Sequence, residues 1–287
     1  MAVYSKNGEY GEDPVSVDIA DRGLLLGDGI FETILLRDGV PVFLGAHMAR
    51  LTAGAVALGI DIKFDEIDIT KRISELAVKN RIEKQTGSAR VTLTRGAGRR
   101  GLSIEGANEP TLLITVNAYD RISHIEPANV LVSRACRAER SVSAKYKTLN
   151  YIDNVMAREE ASAAKLEDAV MLNHAGRVAC ASAANVFIIR GDGEVVTPPV
   201  REGALPGVVR NIVLQSGNEA GLVIVEAEIE RHELKKSAII LTNSLIGLRL
   251  ATLKNGTISQ SAYSIFEKLK SCYESEIEKD LKLRAGH

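Results

Sequence analysis

The side chain with the clearest chemical potential is Lys147, in the segment Ser143–Asn150 (SAKYKTLN), which also contains Lys145. Small and apolar neighbours favour partial burial of these lysines. A desolvated lysine loses its proton more easily, and the neutral amine can attack a carbonyl carbon or accept a proton. The alternative is an ordinary solvated lysine, the commoner state of this residue. The segment therefore indicates a candidate nucleophile and leaves the surface alternative open.

Other catalytic chemistries leave no comparable pattern. The five histidines are scattered, and the three cysteines lack the paired spacing of a zinc site. The sequence contains neither a GxSxG turn nor a phosphate-binding P-loop sequence. These patterns predict no metal site. Residue types and spacing alone indicate an α+β protein that binds a small molecule.

Composition excludes several kinds of partner. The 287 residues carry a formal net charge of −1, so no overall field attracts nucleic acid or an anionic membrane. No apolar run is long enough to span a bilayer, and Met1–Pro14 is too polar for a signal peptide. Three sparse cysteines are typical of reduced thiols. We therefore expect a cytoplasmic protein with small-molecule partners.

Six short motifs together resemble one enzyme family. They occur in family order between about residue 20 and residue 250, and their combination is specific although each one is weak. The motifs are Asp21–Thr33 (DRGLLLGDGIFET), His47–Leu51 (HMARL), Lys147–Tyr151 (KTLNY), Ala184–Phe187 (ANVF), Leu205–Arg210 (LPGVVR) and Thr242–Leu245 (TNSL). This series resembles the fold-type IV pyridoxal-phosphate enzymes. Their members include branched-chain and D-amino-acid aminotransferases and aminodeoxychorismate lyases.

The resemblance implies a binding site for the phosphate of pyridoxal 5′-phosphate. Arg50 would grip the phosphate, and a guanidinium suits a dianion because it can donate two parallel hydrogen bonds. Val208 and Val209 would donate backbone N–H groups at a helix N-terminus, where the helix dipole also favours an anion. Ser244 would add a hydroxyl donor.

The same resemblance assigns the reactive and substrate-facing residues. Lys147 would attach to the cofactor aldehyde and then move the α-proton of the substrate as a general base. Tyr151 would donate a hydrogen bond to the ring oxygen of the cofactor, with a core aromatic as the alternative. Phe31 and Arg100 are the expected substrate contacts.

The sequence departs from the family at the residue that pairs with the pyridine nitrogen. The family has a glutamate five residues before the motif asparagine, and Cys180 occupies that position before Asn185. A carboxylate–pyridinium hydrogen bond is worth roughly 1.5–3 kcal/mol. Cys180 could contact the nitrogen as a thiol or as a thiolate in a retuned enzyme. Alternatively, the chain could bind the cofactor and turn over poorly.

The reaction and the substrate remain open between branches of the family. The loop Arg95–Leu102 (RGAGRRGL) resembles that of D-aminotransferases and lyases, where its last arginine, here Arg100, would bind a substrate carboxylate. A plain basic loop is the alternative. The sequence Asn243–Leu245 resembles the corresponding motif of the lyases, whereas a tyrosine at position 151 resembles the motif of the branched-chain enzymes. We expect an aminotransferase acting on a branched-chain or D-amino acid and a 2-oxo acid, with the lyase as the second hypothesis.

These residues must be positioned by a mixed set of strands and helices. Asn7-Gly8 and Asp38-Gly39 are hairpin signals, because both residues of each pair tolerate positive φ. The residue pattern predicts five helices, which are Ala46–Leu58, Glu66–Val78, Asp153–Leu166, about Val208–Ser216 and about Ser264–Leu283. It also predicts several strands, among them Val40–Leu44. The order lacks a regular βαβ alternation, so we predict an α+β fold. The resemblance specifies this as the two-domain fold-type IV fold.

Domain organisation follows from one polar break. Asp120–Ala128 contains Pro127 and is the best linker candidate. We predict an N-terminal α+β domain over residues 1–119, a linker over 120–128 and a cofactor-binding α+β domain over 129–287. The resemblance also implies a homodimer.

Overall fold

The computed structural model describes residues 2–12, 14–107, 109–120, 126–254 and 256–285. The chain divides into two compact units. One comprises Met1–Arg121 with Tyr146–Asn150, and the other comprises Ile122–Lys145 with Tyr151–His287. Most of the predicted linker lies at 121–125, outside the described residues. The predicted domain bounds therefore stay a prediction.

The first unit is a six-stranded antiparallel sheet with helices on one face. The sheet order is β2-β1-β6-β5-β3-β4. Ile30 and Ile34 of β3 join the core that α2 and α3 cover. The elements are β1 Val3–Lys6, β2 Glu9–Glu12, α1 Arg22–Leu26, β3 Gly29–Arg37, β4 Val40–Pro41, α2 Leu44–Leu58, α3 Glu66–Lys79, β5 Gly87–Thr94 and β6 Thr111–Ala118.

The second unit is built on an eight-stranded mixed sheet of order β12-β11-β10-β13-β14-β7-β8-β9. Helix α5 packs on β7 and β8, and α6 packs against α7. The elements are β7 Ala128–Arg137, α4 Val142–Lys145, α5 Ile152–Ala163, β8 Asp168–Asn173, β9 Val178–Ala181, β10 Asn185–Ile189, β11 Val195–Thr197, a 3-10 turn Val200–Glu202, α6 Val208–Glu219, β12 Ile224–Glu226, a 3-10 turn Arg231–Lys235, β13 Ala238–Asn243, β14 Gly247–Leu253 and α7 Gln260–Ala285.

Both predicted hairpins are confirmed. Asn7 and Gly8 have φ of 50° and 95°, which is the positive-φ pair that a two-residue turn between β1 and β2 requires. The strand predicted at Val40–Leu44 is wrong beyond Pro41, because Leu44 instead begins α2 and is fully buried on its inner face. Among the described residues, no helix has the length and apolar character needed to cross a membrane.

Candidate active site

The backbone around Lys147 is fixed to the beginning of β3. The carbonyl oxygen of Lys147 accepts a hydrogen bond from the N–H of Phe31 at 2.9 Å, and the N–H of Leu149 donates to the oxygen of Gly29 at the same distance. The segment from Lys147 to Leu149 thus pairs with the beginning of β3 as a short antiparallel strand would. The segment that carries the candidate nucleophile is therefore tied to the sheet at two points.

The side chain of Lys147 lies over an aromatic ring. Its Nζ atom is 4.2 Å from the ring centroid of Phe31, a cation–π distance, and Arg90 places its guanidinium carbon 3.8 Å from the same centroid. Lys147 is half-buried, whereas Lys145 is exposed. The surface-lysine alternative therefore describes Lys145 and not Lys147.

A buried ionic cluster lies next to this lysine in the first unit. Glu32 is fully buried and accepts hydrogen bonds from Arg50 through Nε at 2.8 Å and Nη2 at 2.6 Å. The Nδ1 atom of His47 lies 2.7 Å from the same carboxylate. A bidentate pair fixes the plane of a guanidinium as well as its position. Glu32 therefore determines how Arg50 is presented.

The protonation states in this cluster follow from burial and charge. Burial alone would raise the pKa of Glu32, but the hydrogen bonds and positive charge of Arg50, with a further bond to His47, lower this pKa to about 2. Burial lowers the pKa of His47, and the charges of Arg50 and Lys147 lower it further. The hydrogen bond and charge of Glu32 act in the opposite direction but do not offset this. At neutral pH, Glu32 is thus a carboxylate and His47 a neutral ring that donates from Nδ1.

The sequence contained a signal for this cluster that the motif assignment did not use. Phe31 and Glu32 are consecutive on β3 and so point to opposite faces of the sheet. His47 and Arg50 are three residues apart on α2 and therefore share one face of the helix. Glu32 is a carboxylate in a strand of mostly buried residues, and a buried carboxylate needs a cation as its partner. Arg50, in the His47–Leu51 motif, is that cation.

In the second unit, the beginning of α6 has the chemistry of an anion site. Its N-cap residue is Gly207, which has no side chain to cap the helix, and Val208 and Val209 carry backbone N–H groups in the first turn. A Cβ atom at Gly207 would lie 1.9 Å from Oδ1 of Asn185, so only glycine fits there. Asn185 is itself held by a hydrogen bond to the oxygen of Leu205 at 2.8 Å.

The end of β13 belongs to the same part of this unit. Thr242 lies directly opposite Asn185 in the strand register. Its Oγ1 atom is buried and has no hydrogen-bond partner among the described residues. The side chain of Asn243 accepts from the N–H groups of Leu245 and Ile246, both at 2.9 Å, and this turn holds Ser244. A buried hydroxyl without a partner fits a site that receives a hydrogen-bonding ligand.

Cys180 lies on β9, a strand that the sequence analysis missed. The thiol is buried, and burial raises its pKa to about 11 although the charge of Arg137 acts in the opposite direction. The group is therefore a neutral thiol at physiological pH.

Arg137 is a buried cation that the sequence did not reveal. It donates to four neutral oxygens at 3.1–3.3 Å, and among the described residues no carboxylate forms an ion pair with it. These acceptors are the side chain of Asn154 and the backbone of Ser143, Ala144 and Gly203. The positive charge of Arg137 lowers the pKa of Cys180, and the negative charge of Asp168 acts against it.

The two remaining predicted residues occupy different settings. Tyr151 is half-buried at the start of α5, where its carbonyl oxygen accepts from the N–H of Val155 at 2.9 Å. Arg100 is exposed, beside Arg99, in the loop between β5 and β6. Among the described residues, no group of three or more His, Cys, Asp or Glu side chains could hold a metal ion.

Each unit carries groups whose chemistry is of a definite kind. In the first unit, the half-buried amine of Lys147 can attack an aldehyde, and the oriented guanidinium of Arg50 can bind a phosphate. In the second unit, a helix N-terminus and the unpaired hydroxyl of Thr242 suit an anion that accepts hydrogen bonds.

Comparison with known proteins agrees with this chemistry. The family model for amino-transferase class IV matches residues 29–252. A D-alanine aminotransferase of Bacillus licheniformis is 30% identical over 222 residues, which cover 76% of each chain. An aminodeoxychorismate lyase of Bacillus subtilis is 26% identical over 291 residues and covers 98% of this chain and 96% of its own. The crystal structure of a branched-chain amino acid aminotransferase of Escherichia coli matches with a TM-score of 0.88 at 18% identity, over 96% of this chain and 94% of that one.

The chain therefore belongs to the class IV aminotransferase family. Pyridoxal 5′-phosphate is the cofactor of this family, so the cofactor expected from the motifs is confirmed. The fold-type IV α+β architecture is confirmed as well.

Proposed function

We propose that this protein is an aminotransferase that moves an amino group between an amino acid of the branched-chain or D-amino-acid class and a 2-oxo acid. The observation that carries the proposal is the placement of Lys147, tied by its backbone to β3 with its amine over Phe31. A reactive amine must be held in one place to act repeatedly on a bound substrate.

Each residue of the first unit has a distinct part in this proposal. Pyridoxal 5′-phosphate supplies an aldehyde for attachment and a ring that accepts electrons from the α-carbon. Lys147 holds the cofactor and moves the α-proton. Arg50, oriented by Glu32, binds the phosphate, and Phe31 forms part of the substrate surface. Arg100 binds the substrate carboxylate.

The proposal also assigns roles to residues of the second unit. The N–H groups of Val208 and Val209 and the hydroxyl of Ser244 hold the phosphate. Tyr151 would donate a hydrogen bond to the ring oxygen of the cofactor, and Cys180, which is a neutral thiol, would be the partner of the ring nitrogen. A neutral partner leaves the ring less electron-poor than a carboxylate–pyridinium pair would, so we expect a slower proton transfer at the α-carbon.

Aminodeoxychorismate lyase is the second candidate function. The Asn243–Leu245 turn and the match to the Bacillus subtilis lyase over 98% of the chain favour it. A cofactor-binding homologue with weakened catalysis is the third, and Cys180 favours that one.

One experiment separates these functions. The purified holoenzyme is mixed with a panel of D- and L-amino acids, and conversion of the cofactor to its pyridoxamine form is followed by absorbance. Pyruvate release from aminodeoxychorismate without an amino acceptor is measured in parallel. An aminotransferase gives the first signal, a lyase gives the second, and a weakened homologue gives neither.

Replacing Cys180 with glutamate is expected to accelerate the half-reaction by about 10- to 100-fold, because a charge-assisted hydrogen bond worth roughly 1.5–3 kcal/mol would form at the ring nitrogen. The positive charge of Arg137, which already lowers the pKa at this position, would favour the ionised form of the new carboxylate. Stopped-flow absorbance with one amino acid measures this rate.

The matched control is Cys180→Gln, which has nearly the same size as the glutamate variant and no charge. It should leave the half-reaction within about threefold of the natural rate. Thermal unfolding of the cofactor-free protein is measured for both variants, so that a change in the half-reaction rate can be separated from a loss of folded protein. An unchanged or lower half-reaction rate in Cys180→Glu would show that this position is not the nitrogen partner.

We also propose that the protein is a cytoplasmic homodimer. Apolar side chains on and beside α1 are exposed to an unusual degree: Ile19 by 82%, Leu24 by 63%, Leu25 by 59% and Leu102 by 83%. A group of exposed apolar residues is typical of a surface that another chain covers. All three cysteines are free thiols, as expected in a reducing compartment.

Light scattering should therefore give a particle of twice the chain mass of 30.9 kDa. The double substitution Leu24→Asp and Leu25→Asp should shift this particle toward the single-chain mass, because two charges would be buried at the contact. Ile67→Asp, at a residue of α3 that is 78% exposed, is the control and should leave the mass unchanged. A single-chain mass for the natural protein would exclude the dimer.

A further inference from the structure

The guanidinium of Arg22 holds the backbone of the loop between β5 and β6. Its Nη1 atom donates to the oxygens of Gly101 and Ser103, each at 3.0 Å, and Nη2 donates to the oxygen of Leu102 at 3.2 Å. Three consecutive carbonyl groups are thus bound by one side chain, which is only 5% exposed. Arginine suits this role because its five N–H donors lie in one rigid plane.

Arg22 is itself fixed by a shared carboxylate. Its Nε atom donates to Asp28 at 2.8 Å, and Arg95 donates to the same carboxylate from Nε at 2.8 Å and Nη2 at 3.1 Å. Burial alone would raise the pKa of Asp28, but the hydrogen bonds from Arg95 and Arg22 lower it, so the group stays ionised. The loop is therefore anchored to a rigid, charged centre.

The part of the loop that precedes Arg99 is held by hydrogen bonds as well. The backbone N–H of Arg22 donates to the oxygen of Gly96 at 2.9 Å, and that of Gly98 donates to the oxygen of Ala20 at 3.2 Å. A Cβ atom at Gly98 would lie 2.9 Å from Cδ of Arg22, so the loop backbone packs directly on the arginine stem. Residues 99 and 100 lie between these two anchored stretches.

We propose that Arg22 is a positioning residue for substrate recognition. By fixing the backbone before and after Arg99 and Arg100, it presents their exposed guanidinium groups in one arrangement to an anionic group of the substrate. This proposal rests on the role proposed above for Arg100 as the carboxylate partner. It adds that the buried arginine, and not the exposed pair alone, determines the affinity for a carboxylate substrate.

The test uses Arg22→Lys in the holoenzyme, because lysine keeps the charge beside Asp28 but cannot reach three carbonyl groups. We expect the KM for the amino acid to rise about tenfold, which is modest for a misplaced binding group, with kcat changed less than about twofold. Trypsin gives a second readout that does not depend on activity, since Arg99 and Arg100 are themselves cleavage sites. Cleavage there should be about tenfold faster in Arg22→Lys, because a released loop opens more often.

Two further variants make the outcomes distinct. Gly98→Ala should reproduce both effects by displacing the stem of Arg22, and it serves if Arg22→Lys fails to fold. Arg100→Gln should raise the KM while cleavage after Arg99 stays at the natural rate. Natural cleavage rates in both Arg22→Lys and Gly98→Ala would overturn the proposal. A loosened loop with an unchanged KM would also overturn it, while a raised KM in Arg100→Gln would still support the proposed role of Arg100.

Discussion

Lys147→Ala is expected to lower turnover by about 10,000-fold or more, the upper end of what one general acid–base group contributes, because covalent attachment is lost together with the base. The structure makes the loss specific to this side chain, since its amine is fixed over Phe31 and its backbone is paired with β3. Borohydride reduction followed by peptide mass spectrometry should find the cofactor on Lys147 in the natural protein and on no lysine in the variant.

Lys145→Ala is the matched control for this experiment. Lys145 lies two residues away, is exposed and ends the short helix α4. Turnover of Lys145→Ala should stay within about twofold of the natural rate, as is usual for a surface substitution. If Lys147→Ala retained turnover and Lys145→Ala did not, the assignment of the reactive lysine would be wrong.

The sequence predicted the local structure of the contiguous motifs. The helices that begin after Gly207 and that carry Arg50 were recognisable because a few neighbouring residues determine them, and the roles of Lys147 and Arg50 stay predictions. The hairpin at Asn7-Gly8 was equally local, since positive φ at two successive residues is encoded by those residues.

The contacts between motifs could not be predicted in this way. The pairing of Glu32 with Arg50 joins a strand to a helix 18 residues later, and the binding of Gly101 by Arg22 joins residues 79 apart. Such pairs depend on the register of β3 and on how α2 packs against it, which hydrophobic periodicity does not specify.

Short buried strands were missed for a related reason. β9 consists of Val178–Ala181 and is buried on both faces, so it shows no alternation of polar and apolar residues. Cys180 was therefore identified by counting along a motif, and its burial and its buried neighbour Arg137 became visible only in the structure.

Glu32→Gln is expected to destabilise the protein by about 3 kcal/mol at pH 7, because removing one partner of a buried ion pair leaves the other charge uncompensated. A glutamine has one acceptor oxygen, whereas the carboxylate accepts two bonds from Arg50 and one from His47. We also expect weaker cofactor binding, since Arg50 would lose its fixed plane. Chemical unfolding of the cofactor-free protein measures the stability, and fluorescence titration measures the cofactor affinity.

The pH dependence gives this prediction a distinctive form. The pKa of Glu32 is about 2 in the folded protein and 4.5 in its ordinary state. A depressed carboxylate pKa contributes stability that is fully present above the ordinary value and is lost as the pH falls from about 4.5 toward 2. The lowered pKa of His47 acts in the same direction. As the pH falls, its ring gains a proton in the unfolded chain before it does so in the folded protein. The stability difference between natural protein and Glu32→Gln should therefore be largest near pH 7 and should shrink below pH 4.5.

The control for this prediction is Glu109→Gln, at an exposed carboxylate that pairs with Lys63 at 3.0 Å. Such a surface pair contributes about 0–1 kcal/mol, so its removal should change the free energy of unfolding little at any pH. A pH-independent loss in Glu32→Gln would mean that the glutamate contributes through shape and not through charge. A loss as small as that of Glu109→Gln would mean that Arg50 keeps its position without Glu32, and the orientation of the proposed phosphate grip would then have to come from elsewhere on α2.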